Sequence, residues 1–427
     1  MRAVLDLPLS GGNAAALAAL EQGLHEFRCF RGDPVASAEA ALADAPDLVM
    51  AHVLKAWLLL LSTEAPLLAP VRAALTQARA LPHNGREAAH LAAIEALAEG
   101  RWQAAGLLLE DLSIAWPLDV LALQAGQQID FFTGDARMLR DRIVRALPAW
   151  SAGMPGRHAV LAMQAFGLEE CGDYARAEQL GREAVALEPH DGWAQHAVAH
   201  VLEMQGRRAE GIAWMRGNPG WQQDSFLAVH NWWHLALYHL AEGDVDAVLA
   251  LYDGPIKGGR SELVLELLDA SALLWRLQLR GVDVGAARWT ALAERWAPHA
   301  GSGNYAFNDM HAAMAFAGAG RADLVRELRA AQQRGLREEG DNAAFLHEVG
   351  LPATEAMLAY AEGCYREAVK LLRPIRSRAH RFGGSHAQRD LLEQTLIAAA
   401  ERGGEAGLAQ ALQTERRLLA EQRGRPH

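Results

Sequence analysis

The sequence predicts an all-α fold, an α-solenoid of antiparallel helix pairs. Three observations predict it. Glycine-centred turns recur at nearly one interval, at Gly100-Arg101, Gly134-Asp135, Gly172-Asp173, Gly206-Arg207, Gly243-Asp244, Gly281-Val282, Gly320-Arg321 and Gly363-Cys364, with steps of 34, 38, 34, 37, 38, 39 and 43 residues. Apolar residues at helical spacing flank these turns. Small alanines fall where two helices must approach closely, and a proline ends the second helix of the clearest pair.

A period in this range is the mark of a stacked repeat, and 34 residues is the length of the tetratricopeptide unit. The expected architecture is therefore a tetratricopeptide-like superhelix. It occupies the whole chain as one helical-repeat domain: degenerate repeats over 1–90, regular ones over 91–372 and capping helices over 373–427. At 427 residues the chain exceeds one compact core, but a solenoid grows by adding neighbours.

Taken in order, Gly32-Asp33 lies 68 residues before Gly100, twice the 34-residue period, so a degenerate unit is expected between them. Residues 91–97 before Gly100 and 121–132 before Gly134 fit the pattern. The clearest unit runs from Arg157 to Pro189. Its first helix carries Val160, Met163, Ala165 and Leu168, and the turn is Gly172-Asp173-Tyr174. The second helix carries Ala177, Leu180, Ala184 and Leu187. The next units place Trp193, Ala197 and Val201 before Gly206, and Leu235 and Leu240 before Gly243. Leu274 and Leu277 precede Gly281, Ala312 and Ala315 precede Gly320, and Met357 and Tyr360 precede Gly363. Residues 390–422 read as helical and as the capping element a solenoid needs, and 423–427 as a frayed tail. Residues 215–227 and 296–307 are irregular inserts, a length that more often serves function than accident.

Bulk properties narrow the partners. A net charge of −11 offers no basic face for nucleic acid. The chain has 51% hydrophobic and 22% charged residues, ordinary for a folded soluble protein. Its three lysines beside 38 arginines read as a genomic base-composition effect. Cys29, Cys171 and Cys364 are odd in number and far apart, which suits a reducing compartment. Residues 1–10 lack the pattern of a signal peptide, and the longest apolar run, 56–61, is far below membrane-spanning length. A soluble, cytoplasmic protein is expected, with homo-oligomerisation left open.

The functional signal is histidine. Six of the 17 histidines fall between His190 and His239, and four form two i,i+4 pairs, His196/His200 in HAVAH and His230/His234 in HNWWH. Spacing of four puts both imidazoles of a pair on one helical face. Counted back from the following glycine, His230, His196, His234 and His200 stand at thirteen, ten, nine and six. His311 stands at nine before Gly320 and Asp309 at eleven. Offsets of thirteen, ten, nine and six share one stripe of a helix. In a tetratricopeptide array the first helices line the inner wall, so the stripe should converge there, with Glu203 one turn beyond His200 and Asn231 beside His230. Imidazoles with carboxylates nearby bind a divalent metal or relay protons near neutral pH. The candidate acid–base residues are His196, His200, Glu203, His230, His234, Asp309 and His311, and the candidate metal ligands are His196, His200, His230 and His234. Against this stands the plainer reading that they are core or groove histidines; HxxxH alone is a weak metal signal and HExxH is absent.

Eight of the twelve tryptophans lie between Trp193 and Trp296. Some belong to the core. On the functional reading Trp193, Trp232 and Trp233, with Asn231 and Asn308, wall a pocket for an apolar or aromatic ligand. Other features carry less. Gly258-Gly259-Arg260 is a short turn without a phosphate-loop signature, no GxSxG occurs, and Cys171 reads as packing. The arginine run over 373–381 could meet a phosphate or an acidic peptide but reads better as a solvated face.

At HAVAHVLEMQGR, HNWWHLALYHLAEGD and FNDMHAAMAFAGAGR the chain resembles the tetratricopeptide-repeat-protein-38-like family, over roughly residues 101–372. The likeness extends to the spacing around Glu266 to Trp289, where this chain reads GAARW. It implies a helical-repeat fold and brings no biochemical activity. The family's HxxxH, HNxWH and FNDxH signatures fall on His196/His200, His230/Asn231/His234 and Asn308/Asp309/His311, the positions that the register selects.

Three functions are compatible with these residues. One is a recognition module that binds a small molecule or peptide in its concave groove; its stripe of His, Trp and Asp differs from the Lys, Arg and Asn carboxylate clamp of peptide-binding arrays. Another is a small-molecule enzyme, hydrolase- or lyase-like, with or without a divalent metal, in which His200 or His234 is a base oriented by Glu203 or Asp309. The third is an assembly scaffold with structural histidines.

Overall fold

The eight glycine turns each join two helices. In the computed structural model, which describes residues 5–256 and 260–424, the pairs include Gly85–Ala98 with Trp102–Ala115, Arg157–Glu170 with Tyr174–Leu187, Gly192–Met204 with Arg208–Gly217 and Ala306–Gly318 with Ala322–Gly335. The fold is all-α. Among the described residues there is no strand, and an isolated antiparallel bridge joins Arg31 and Ser225. Residues 1–4, the Gly258-Gly259 step and tail residues 425–427 lie outside the described residues.

One local device repeats at every turn. The glycine sits at a φ between 67° and 83°, the left-handed region that side-chain-bearing residues resist. The amide after it reaches back to a carbonyl five residues earlier, as Asp173 N to Leu168 O at 2.9 Å and Arg207 N to Leu202 O at 2.8 Å. This satisfies the carbonyls that the end of the helix leaves open. At Gly134 and Gly243 the next residue is an aspartate whose side chain caps the following helix, Asp135 accepting from Met138 N at 3.0 Å and Asp244 from Ala247 N at 3.2 Å.

The ends of the chain follow the same logic with different residues. The Ala14–Cys29 helix closes through Phe30, at φ 54°, rather than through Gly32. The expected degenerate unit consists of Val49–Leu60 and Leu68–Ala80, joined past Thr63 at φ 62°. Without a glycine there, the period is invisible in the sequence. The C-terminal stretch expected to be helical is two helices, His386–Arg402 and Ala406–Arg423. Gly404, at φ 79°, breaks it. Of the two inserts, 215–227 contains the end of the Arg208–Gly217 helix and a 3-10 turn, Gly220–Gln222. It is pinned by Gly32 N to Asp224 O at 2.6 Å and Phe226 N to Phe30 O at 3.1 Å. The insert at 296–307 holds a 3-10 turn, Ala297–His299, and is tied by Asn342, which donates to Gly303 O at 2.8 Å and accepts from Ala306 N at 2.9 Å. The arginine run forms the 3-10 helix Arg373–Phe382, an exposed face whose Arg376 pairs with Glu393 and Glu415 and whose Arg381 pairs with Glu348.

The helices group into two compact units, Met1–Val201 with Gly217–Ala228, and Leu202–Arg216 with Val229–His427. The first unit packs Val120, Leu123, Ile143, Trp150, Val160 and Met163 together. Its core also holds charge. Arg142 donates to both oxygens of Asp130, at 2.7 and 2.8 Å, and Asp119 accepts from Arg86 at 2.7 Å and pairs with His90 at 2.9 Å. Burial opposes ionisation of Asp119, but His90 and Arg86 beside it hold its carboxyl below the usual carboxylate range.

The second unit buries several of the clustered tryptophans as core. Trp275 Nε1 donates to Thr395 Oγ1 at 3.0 Å, and Trp296 Nε1 to Ser271 Oγ at 2.9 Å. No helix among the described residues is long and apolar enough to cross a membrane.

Candidate functional site

In the first unit, the Gly192–Met204 helix presents His196 and His200. Asp191 caps its start, accepting from Ala194 N at 2.9 Å. Both imidazoles are buried, their centroids 4.4 Å apart and near perpendicular at 72°. Trp193 stacks on His196 at 4.6 Å, and Phe30 stacks on Trp193 at 5.2 Å. Phe166 meets His200 edge-on at 5.3 Å. The Trp193 indole N–H is buried and has no hydrogen-bond partner among the described residues.

The carboxylates of this group were not among the sequence candidates. Glu169 Oε2 lies 3.5 Å from His200 Nδ1, both side chains fully buried. Glu169, Glu170 and His200 bring one potential ligand atom each to within 4.8 Å of one another. A signal for them existed. Glu169 stands three residues before Gly172, as Glu203 stands three before Gly206, so the register rule finds both if it is run one step further towards the turn.

In the second unit, the Ala228–Glu242 helix presents His230 and His234, their rings 4.9 Å apart at 89°. Here each imidazole has a carboxylate at Nδ1. His234 pairs with Glu203 Oε2 at 2.8 Å, and His230 with Asp269 at 2.9 and 3.0 Å. A carboxylate on Nδ1 favours the tautomer that carries its proton there and leaves Nε2 to ligate or accept a proton. Trp233 is fully buried, stacks on His230 at 5.2 Å, and its indole N–H has no hydrogen-bond partner among the described residues. The Arg276 guanidinium lies 5.3 Å from the Trp233 ring centroid and donates to Ala387 O at 2.7 Å. Burial pushes the Arg276 guanidinium pKa down. Asn231 is buried and Trp232 half-buried. Asp269 and Arg276, both on Val264–Leu279, carry no HxxxH-like mark, and only the packing of that helix brings them to the pair.

Asn308, Asp309 and His311 lie buried on Ala306–Gly318. Asp309 Oδ2 is buried with no hydrogen-bond partner among the described residues, and burial raises its carboxyl to about 7 against the opposing influence of the nearby Gln332 amide. The His311 Nδ1 faces its own helix at Phe307 O, 2.8 Å away, and burial lowers its imidazole to about 4. The structure thus gives His311 a backbone carbonyl and leaves Asp309 buried beside the Gln332 amide.

Chemically, the second unit's group is an imidazole pair poised by two carboxylates, suited to proton transfer or to holding a divalent cation. The first unit's group sets two buried imidazoles among aromatic rings, with the carboxylates of Glu169 and Glu170 gathered at His200. No family model matches the chain.

Proposed function

We propose that this chain is a tetratricopeptide-like helical-repeat protein that binds a small molecule or peptide through its histidine–carboxylate–tryptophan groups, with acid–base chemistry available at His234 and His230. The observation that carries the reading is the pairing of both imidazoles with carboxylates at 2.8–3.0 Å beside an unpartnered indole N–H. Keeping such polar groups inside a helical array costs stability, and a ligand that meets them offsets it. In this reading His234, oriented by Glu203, is the base; His230, oriented by Asp269, is its partner; and Trp233 forms the wall. The same geometry favours a second reading, in which His230 and His234 hold a divalent metal, because a carboxylate behind each imidazole is the usual support of a metal-bound histidine. A cytoplasmic location belongs to the proposal and rests on three cysteines that form no disulfide.

Native mass spectrometry and elemental analysis of freshly purified protein test it, beside His200→Ala, His234→Ala and Glu203→Gln. The expected result is a bound small molecule or metal that is lost in His234→Ala and weakened in Glu203→Gln, with helical content kept. Loss of several kcal/mol of stability with nothing bound in either the parent or the variants would make the histidines structural and leave a scaffold.

A further inference from the structure

A separate set of ligand atoms gathers in the first unit. His25 and Cys29 are spaced i,i+4 on Ala14–Cys29, with Cys29 Sγ 4.0 Å from His25 Nδ1. His158, in the first turn of Arg157–Glu170, completes the set, and one atom from each residue lies within 4.8 Å of the others. The His158 Nδ1 is engaged by Asp191 Oδ2 at 2.7 Å, which leaves Nε2 as its ligating nitrogen. Cys29 and Asp191 are fully buried, whereas His25 is half-buried and gives the group a path to solvent.

The geometry points to a zinc-type metal site formed by Cys29 Sγ, His25 Nδ1 and His158 Nε2, with Asp191 as the carboxylate behind His158. In a tetrahedron with bonds of about 2.0 Å to nitrogen and 2.3 Å to sulfur, ligand atoms stand roughly 3.5 Å apart. The 4.0 Å separation of Cys29 from His25 therefore closes by about 0.5 Å on binding, and the separations to His158, within 4.8 Å, by up to about 1.3 Å. One thiolate with two imidazoles selects zinc, cobalt or copper over magnesium or calcium. Three protein ligands leave the fourth position open, as in catalytic rather than structural sites.

On binding, the thiol proton leaves to solvent and the metal takes its place on sulfur, with no change of oxidation state. Asp191 also caps the helix that carries His196 and His200, so a metal on His158 would reinforce that cap.

The test uses the full chain carrying Cys171→Ser and Cys364→Ser, which removes the two exposed thiols. Stripped of metal, it is titrated with Co2+ alone. The expected result is one equivalent showing a thiolate-to-cobalt charge-transfer band and the intense visible bands of tetrahedral cobalt, both displaced by Zn2+. The bands disappear in Cys29→Ser, and Asp191→Asn weakens uptake roughly tenfold to a hundredfold. His25→Gln, at a half-exposed position, serves as the second ligand variant should Cys29→Ser misfold. A folded protein without the charge-transfer band, or a band that survives His25→Gln combined with His158→Gln, overturns the site. The histidine–carboxylate groups described above contain no thiol, so the two sites are read separately.

Discussion

The two HxxxH pairs have the same covalent spacing and nearly the same ring geometry, centroids 4.4 and 4.9 Å apart and close to perpendicular. Their surroundings differ. In the second unit each imidazole is held by a carboxylate at hydrogen-bond distance, whereas in the first the pair is packed among Phe166, Trp193 and Phe30 with Glu169 at 3.5 Å. Helical periodicity places two rings on one face, and it does so wherever HxxxH occurs. What those rings can do is set by the side chains that neighbouring helices bring. The same motif yields a pair with a carboxylate on each imidazole in one unit and a more deeply buried pair walled by aromatic rings in the other.

The largest expected effect sharpens the contrast inside the second unit, where Asp309 and His311 sit on one helix with opposed shifts. Asp309 is raised to about 7, so the native state holds a proton that the unfolded chain releases from about pH 4 upward, and stability falls as pH rises from about 4 to 7. His311 is lowered to about 4, so its contribution is complete above about pH 6.5 and is lost as pH falls towards 4. The two slopes oppose each other over the same window. Asp309→Asn should gain about 4 kcal/mol at pH 8 relative to its effect below pH 4, and should expose the rising limb due to His311. His311→Asn should expose the falling limb due to Asp309. Denaturant unfolding of both variants from pH 4 to 8 checks this, and parallel, unchanged profiles would refute it.

A smaller effect separates the two carboxylate environments. Asp269→Ala removes a buried partner at hydrogen-bond distance and should cost about 2 kcal/mol, whereas Glu169→Gln, whose contact is at 3.5 Å, should change stability by less than about 1 kcal/mol. Equal costs in urea unfolding would erase the distinction drawn between the pairs.

The close approaches of helices give the smallest contrast. A methyl group at Gly211 would lie 2.3 Å from the Tyr238 ring, and one at Gly181 would lie 2.6 Å from a methyl of Val198. The ring is rigid and fully buried, so Gly211→Ala should cost about 2 kcal/mol. Val198 has one terminal methyl to move, so Gly181→Ala should cost about 1 kcal/mol. The difference in thermal midpoint between the two variants measures it, and a larger loss at Gly181 would reverse the assignment.

These elements also show what was legible. The helix pair around Gly172 was readable almost to the residue, because the turn, the apolar spacing and Pro189 agree with one another. The pair between Gly32 and Gly100 was legible only as a gap of two periods, since Thr63 rather than glycine takes the left-handed turn. The capping helices are legible as helix from composition, whereas their boundary at Gly403-Gly404 lies inside a stretch rich in helix-forming residues. At the site, the histidines were found by register, and Glu169 could have been found by the same count. Asp269 and Arg276 could not, because nothing local distinguishes them from other charged helical residues. The Cys29 group has an i,i+4 half that was available to inspection, but its His158 lies 129 residues beyond Cys29.

By itself the sequence determined the all-α class, the positions of the regular turns and the faces on which His196, His200, His230 and His234 stand. All of these follow from short-range rules: a left-handed φ that needs glycine, a 3.6-residue period, and a proline that ends a helix. The tertiary structure alone decided which carboxylate meets which imidazole, which tryptophans are core, and that His158 joins His25 and Cys29. Those outcomes depend on contacts between helices far apart in the chain, where packing rather than local periodicity selects the partner.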